Sequence, residues 1–176
     1  MTTTPTGAST TAPRTVVLVG APGSGKTTVG RRLATELGRD FVDVDILIEE
    51  RAGKPIAEIF AEDGEPAFRA LEETTTLEQL GRDAVVSLGG GAVLSPTIRT
   101  ALAGHHVIWL QVSAGRAADR VGLNAARPLL LGNVRGRLIQ LLAQRTPLYA
   151  EVATVEIATD DLDAAQVAAA AQESLP

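Results

Sequence analysis

From residue 15 onward the chain alternates between short apolar runs and longer amphipathic ones. The short runs lie at 15–20, 41–43, 84–88, 107–112 and 154–158, and most are apolar at odd and even positions alike. Successive side chains of a strand point to opposite faces, so such a run predicts a strand covered on both sides. That is the pattern of a parallel sheet flanked by helices. Helices are predicted over 26–37, 55–61, 65–80, 95–103, 113–120, 135–149 and 163–174. Their punctuation agrees. Gly38, Gly81 and Gly104 follow three of them, where a left-handed residue commonly ends a helix. Pro55 sits near the first turn of the second, and Ser95 with Pro96 supplies an N-cap and first helical residue. Strands alternating with helices predict an α/β fold with a parallel sheet.

One segment breaks the alternation. Residues 122–132 (GLNAARPLLLG) have glycine at both ends and Arg127 inside, between two predicted helices. A connection of this length in a compact domain is often a lid. The plainer alternative is an ordinary helix–helix link, and the phosphate-binding loop described below favours the lid.

Composition narrows the class. The 176 residues suit one domain, expected over 14–176. Residues 1–13 are Thr-rich without an apolar run, and are read as a disordered tail rather than a signal peptide. Aromatics make up only 3%, so the core must be aliphatic. The net charge of −5 weighs against a nucleic-acid partner, which usually meets a basic patch. There is no cysteine, hence no disulfide and no thiolate metal site. No apolar run approaches the roughly 20 residues of a membrane helix, so the expected location is cytoplasmic.

Chemistry enters at residues 20–27, Gly-Ala-Pro-Gly-Ser-Gly-Lys-Thr, which match G-x-x-x-x-G-K-[ST] at every fixed position. An apolar strand precedes the motif and a helix follows, as a phosphate-binding loop requires. Gly23, Ser24, Gly25, Lys26, Thr27 and Thr28 would hold a nucleoside triphosphate. Backbone N–H groups and the positive helix end face the phosphates. Lys26 reaches the β- and γ-phosphates, and the Thr27 hydroxyl can ligate Mg²⁺. This loop occurs in motors, switches, transporters and kinases, so it names no reaction by itself.

Asp43 and Asp45 end the second strand run two residues apart, a spacing that would put both on one strand face at the sheet's carboxyl edge. One could hold Mg²⁺ waters while the other accepts a hydroxyl proton, the two tasks of phosphoryl transfer. The alternative is a solvated strand end with Asp45 capping a helix at 46–51. Gly89, Gly90 and Gly91 follow the third strand and permit close backbone approach to a ligand. That strand ends without an acidic residue, which points away from motor ATPases and toward small-molecule kinases. Arg69, Arg127 and Arg145 stand out as forks suited to carboxylate or phosphate oxygens, although a single arginine is usually a solvated charge.

Taken together, 20–28, Asp43-Val-Asp45, Phe68-Arg69, Gly89-Gly90-Gly91, Arg127-Pro128-Leu129 and Arg145 with Pro147-Leu148-Tyr149 resemble the shikimate kinase family, in order, over about 16–149. The resemblance implies a three-layer αβα P-loop kinase sandwich, nucleoside-monophosphate-kinase-like, with a five-stranded parallel sheet and a mobile lid. It implies transfer of the ATP γ-phosphoryl to the 3-hydroxyl of shikimate, with Mg²⁺, on the route to chorismate and aromatic amino acids. By the same resemblance Asp45 binds the acceptor hydroxyls and serves as base, and Asp43 holds the metal through water. Arg69 and Arg145 take the acceptor carboxylate, Gly89, Gly90 and Gly91 face it, and the helical segment at about 45–81 covers it. Arg127 reaches the ATP phosphates from the lid, and Arg120 packs on adenine. The loop at 159–162 faces the base but offers no distinctive base-reading side chain. A monomer is expected. A gluconate or nucleotide kinase on the same scaffold is the nearest alternative. A nucleotide-binding regulator without catalysis would be expected to lack Lys26, Asp45 or Arg127, and all three are present.

Overall fold

The computed structural model describes residues 15–124 and 131–176. The expected tail at 1–13 and Arg127 lie outside the described residues. The strands are β1 (Val16–Val19), β2 (Asp40–Asp43), β3 (Ala84–Ser87), β4 (His106–Gln111) and β5 (Val155–Ala158). All pairings are parallel, in the order β2-β3-β1-β4-β5. The helices are α1 (Lys26–Leu37), α2 (Val44–Ala52), α3 (Ile56–Asp63), α4 (Glu65–Gln79), α5 (Pro96–Leu102), α6 (Ala114–Asn124), α7 (Leu131–Val152) and α8 (Ala164–Glu173).

The two-sided apolar strands produce two cores, one on each face. Val16 and Leu18 of β1 point with Val85, Ile108, Leu110 and Ile157 toward α1 and α8, meeting Val29, Leu33, Val167 and Ala171. Val17 and Val19, one residue out of phase, point with Val86, Val107 and Trp109 to the other face. There they meet Val44, Ile48, Ile59, Phe68, Ile98, Leu138 and Tyr149 from α2, α3, α4, α5 and α7. The expected three-layer αβα sandwich is present.

The connectivity places the site. From β1 the chain crosses to edge strand β2, while from β3 it crosses to β4 on the other side of β1. Connections leaving neighbouring strands in opposite directions open a crevice at the strands' carboxyl ends. The loop after β1 and the glycine triplet after β3 both lie there.

Three expectations need correction. Asp43 and Asp45 do not share a strand face. Asp43 is the last residue of β2 and the N-cap of α2, its Oδ1 accepting from the N–H groups of Asp45 at 3.1 Å and Ile46 at 3.3 Å. That cap turns the chain out of the strand and puts Asp45 in the first helical turn. The cap of this helix is Asp43, not Asp45. The loop expected over 122–132 is shorter, because α6 runs on to Asn124 and α7 starts at Leu131. A glycine costs a helix only about 1 kcal/mol, so neither Gly122 nor Gly132 has to end one.

Helix α1 lies tightly on the sheet at Gly30. A Cβ there would collide with the Phe41 ring and come within 3.0 Å of Leu18 Cδ1. Gly115 in α6 has nothing within 4 Å of such a carbon. Gly30→Ala is therefore expected to cost about 1–3 kcal/mol in urea unfolding, and Gly115→Ala to gain about 0.5–1 kcal/mol through backbone entropy.

Candidate active site

The loop after β1 wraps a cluster of donors. Gly25 ends it in the left-handed region, φ 92°, and N-caps α1 with no side-chain cap, so the first N–H groups of that helix point into the loop. Lys26 folds back over the loop, its Nζ donating to Gly20 O at 2.8 Å and Ala21 O at 3.2 Å. Burial, opposed by the carboxylates of Asp45 and Asp43 and aided by Arg145, lowers the Lys26 pKa to about 8.

Beside the loop, the Thr27 hydroxyl donates to Asp43 Oδ2 at 2.7 Å. Its proton is thus held by the carboxylate, and its oxygen lone pairs are left for a cation. Among the described residues no group of three or more His, Asp or Glu could hold a metal. One hydroxyl and one nearby carboxylate nonetheless fit Mg²⁺, which is typically bound through waters and substrate phosphates.

On the α1–α8 side a cleft of 410 Å³ runs from Gly23, Gly25 and Thr28 to Arg120, Thr159, Leu162 and Val167. Arg120 bridges its two walls. It donates to Gly23 O at 3.0 Å and to Thr159 O at 3.2 Å. Arg120 and the loop at 159–162 therefore meet beside the phosphate loop. The Thr159 side chain is committed to Gln111 O at 2.8 Å.

On the other side the glycine triplet gathers the remaining charged residues. A Cβ on Gly89 would lie 2.6 Å from Asp45 Oδ1 and 2.8 Å from Glu72 Oε1. One on Gly91 would strike the Arg69 guanidinium, and one on Gly90 would lie 3.5 Å from both Arg145 Nη1 and Gly20 O. Only residues without a side chain at positions 89 and 91 allow Asp45, Glu72 and Arg69 to approach the backbone this closely, and Arg145 comes into ordinary contact beside them at Gly90. Burial raises the Asp45 pKa to about 6, helped by Asp43 and Glu72 and opposed by Lys26. Two buried polar atoms here have no protein partner, Asp45 Oδ1 and Arg145 Nε. A buried polar group without a partner is costly, and a ligand carrying both a donor and an acceptor would satisfy this pair.

Glu72 carried no assigned role in the sequence. It is 2% exposed and accepts from Arg69 Nη1 at 2.7 Å. Burial raises its pKa, and Arg69 opposes the rise. The available signal was its place three residues after Arg69, on the same helical face.

The model of the family "Shikimate kinase" matches residues 22–176. A shikimate kinase of Thermobifida fusca is 52% identical over 91% of this chain and 94% of its own length. One of Mycobacterium avium is 53% identical over 82% of this chain and 83% of its own. The chain belongs to the shikimate kinase family. Among solved structures, the shikimate kinase of Acinetobacter baumannii in complex with shikimate superposes with a TM-score of 0.85 at 38% identity, covering 93% of this chain and 92% of that one. The protein is thus a phosphotransferase with an alcohol acceptor and ATP as co-substrate. No described helix is long and apolar enough to cross a membrane.

A methyl group at Gly91 would push Arg69 away without touching the core. Gly91→Ala is expected to keep an unfolding temperature near wild type while kcat/KM falls about 10- to 100-fold. Steady-state kinetics beside a thermal melt checks this.

Proposed function

We propose that this shikimate kinase transfers the γ-phosphoryl of ATP to the 3-hydroxyl of shikimate with Asp45 as the base and Arg69 and Arg145 on the acceptor carboxylate. The observation that carries this reading is the pair of buried, unpartnered atoms, Asp45 Oδ1 and Arg145 Nε, gathered with Arg69 around the Gly89–Gly91 backbone. A compact acid bearing hydroxyls has the complementary chemistry, its carboxylate for the guanidinium forks and a hydroxyl proton for Asp45. The shikimate bound to the Acinetobacter relative supports the same acceptor.

ATP lies along 23–28 with its base in the cleft beside Arg120. Lys26 gives up its loop carbonyls for phosphate oxygens, a better match for an ammonium. Thr27 would hold Mg²⁺ directly and Asp43 through water, and the ion would neutralise charge on the phosphoryl oxygens. Asp45, in its carboxylate form, orients the attacking hydroxyl and takes its proton, and Lys26 stabilises the transferring group. By the family resemblance Arg127, outside the described residues, would add a second cation at the phosphates. The protein works as a cytoplasmic monomer.

Asp45→Asn keeps the shape and removes the proton acceptor. ADP release in the presence of shikimate is expected to fall at least about 100-fold, with ATP binding retained by calorimetry. Substantial turnover in that variant removes Asp45 from the role of base. Wild-type activity with gluconate or a nucleoside monophosphate in place of shikimate would move the acceptor assignment.

The acceptor must find Asp45 ionised, and the Asp45 pKa is raised to about 6. Below that pH the carboxylate is protonated, so kcat/KM is expected to fall on the acid side through about 6. Lys26 must be protonated and titrates at about 8, so the alkaline limb falls above that. A profile flat from pH 5 to 7 contradicts the first limb.

A further inference from the structure

Tyr149 is 0% exposed and donates its phenol proton to Gly90 O at 2.6 Å. It lies on α7 one turn after Arg145, whose guanidinium charge acts on the phenol and opposes the rise of its pKa. Gly90 is the centre of the triplet, flanked by the residue that touches Asp45 and Glu72 and the one that touches Arg69, and its own Cα faces Gly20 O and Pro22 of the phosphate loop. One hydroxyl therefore joins the helix that carries Arg145 to the backbone turn against which the acceptor groups and the phosphate loop both pack. Packing alone would need only the ring, which sits 5.8 Å from the Trp109 ring. The core contact does not require the oxygen.

We propose that Tyr149 is a positioning residue for the acceptor, its hydroxyl holding the Arg145 fork and the Gly90 carbonyl in register so that Arg145 and Arg69 meet the acceptor carboxylate together. Burial pushes the phenol up to about 12, so it remains protonated and able to donate throughout the working pH range. The inference rests on the acceptor reading above.

Tyr149→Phe removes only the oxygen. The shikimate KM is expected to rise about 5-fold or more, the loss of about one hydrogen bond, while the KM for ATP and kcat stay within about 2-fold. Trp109→Phe disturbs the same ring contact and keeps the hydroxyl, so it should lower the unfolding temperature and leave the shikimate KM unchanged. An unchanged shikimate KM in Tyr149→Phe overturns the proposal. So does an equal rise in both KM values, or the same rise in Trp109→Phe, since packing would then explain the effect.

The chain contains one tyrosine, so fluorotyrosine labels this position alone. In the intact labelled protein the fluorine resonance should shift on saturation with shikimate and much less with ATP. This reading needs no variant to fold, and a resonance that ignores shikimate counts against the proposal. Wild-type protein that phosphorylates gluconate but not shikimate would sink the acceptor reading instead, so the two failures are told apart.

Discussion

Lys26, Asp45 and Glu72 are each driven toward their neutral forms by burial, and opposite charges beside them supply the opposing pull. Asp45 and Asp43 hold the lysine up, Lys26 holds Asp45 down, and Arg69 holds Glu72 down. Such a set is stable only while its members stay close, because removing one leaves another buried without compensation. The glycine triplet provides the closeness, since a side chain at Gly89 or Gly91 would occupy the space of Asp45 or Arg69. The rest of the fold delivers these groups from β2, α1, α2, α4 and α7 to that one turn of backbone.

The cluster also explains why the resting site is reactive. A carboxylate raised to about 6 is a stronger proton acceptor than a solvated one, yet remains mostly ionised near neutrality. A lysine lowered to about 8 is still mostly charged there. Desolvation thus tunes both groups toward the working pH without uncoupling them.

Much of this was legible in the residues. The alternation of apolar runs predicted the five strands, and the helix over 26–37 matches α1 residue for residue. The phosphate loop was readable because its glycines, lysine and threonine have fixed spacing. Asp43 and Asp45 were found, but their geometry was misjudged. Two aspartates after a short strand read as strand spacing, and only the hydrogen bonds to the N–H groups of Asp45 and Ile46 show that the chain has already turned. Gly122 and Gly132 looked like boundaries because glycine is a weak helix former, yet a penalty of about 1 kcal/mol does not by itself end a helix. Tyr149 sat inside a recognised motif and Glu72 three residues after Arg69, both without a role. Their significance lies in contacts across 17 residues from Gly89 and 59 from Gly90, which no local pattern encodes.

Different helices line the two ends of the crevice. The 410 Å³ cleft is walled by α6, α8 and the phosphate loop, whereas Asp45, Arg69 and Arg145 come from α2, α4 and α7. The phosphate loop and the start of α1 join them, through Thr27 with Asp43, Lys26 with Asp45, and Gly20 and Pro22 against Gly90. Evolution could therefore rewrite the side chains that α2, α4 and α7 bring to the glycine triplet while leaving the cleft lining of α6 and α8 intact. A lineage can inherit its nucleotide half unaltered and acquire a new acceptor by rewriting the other.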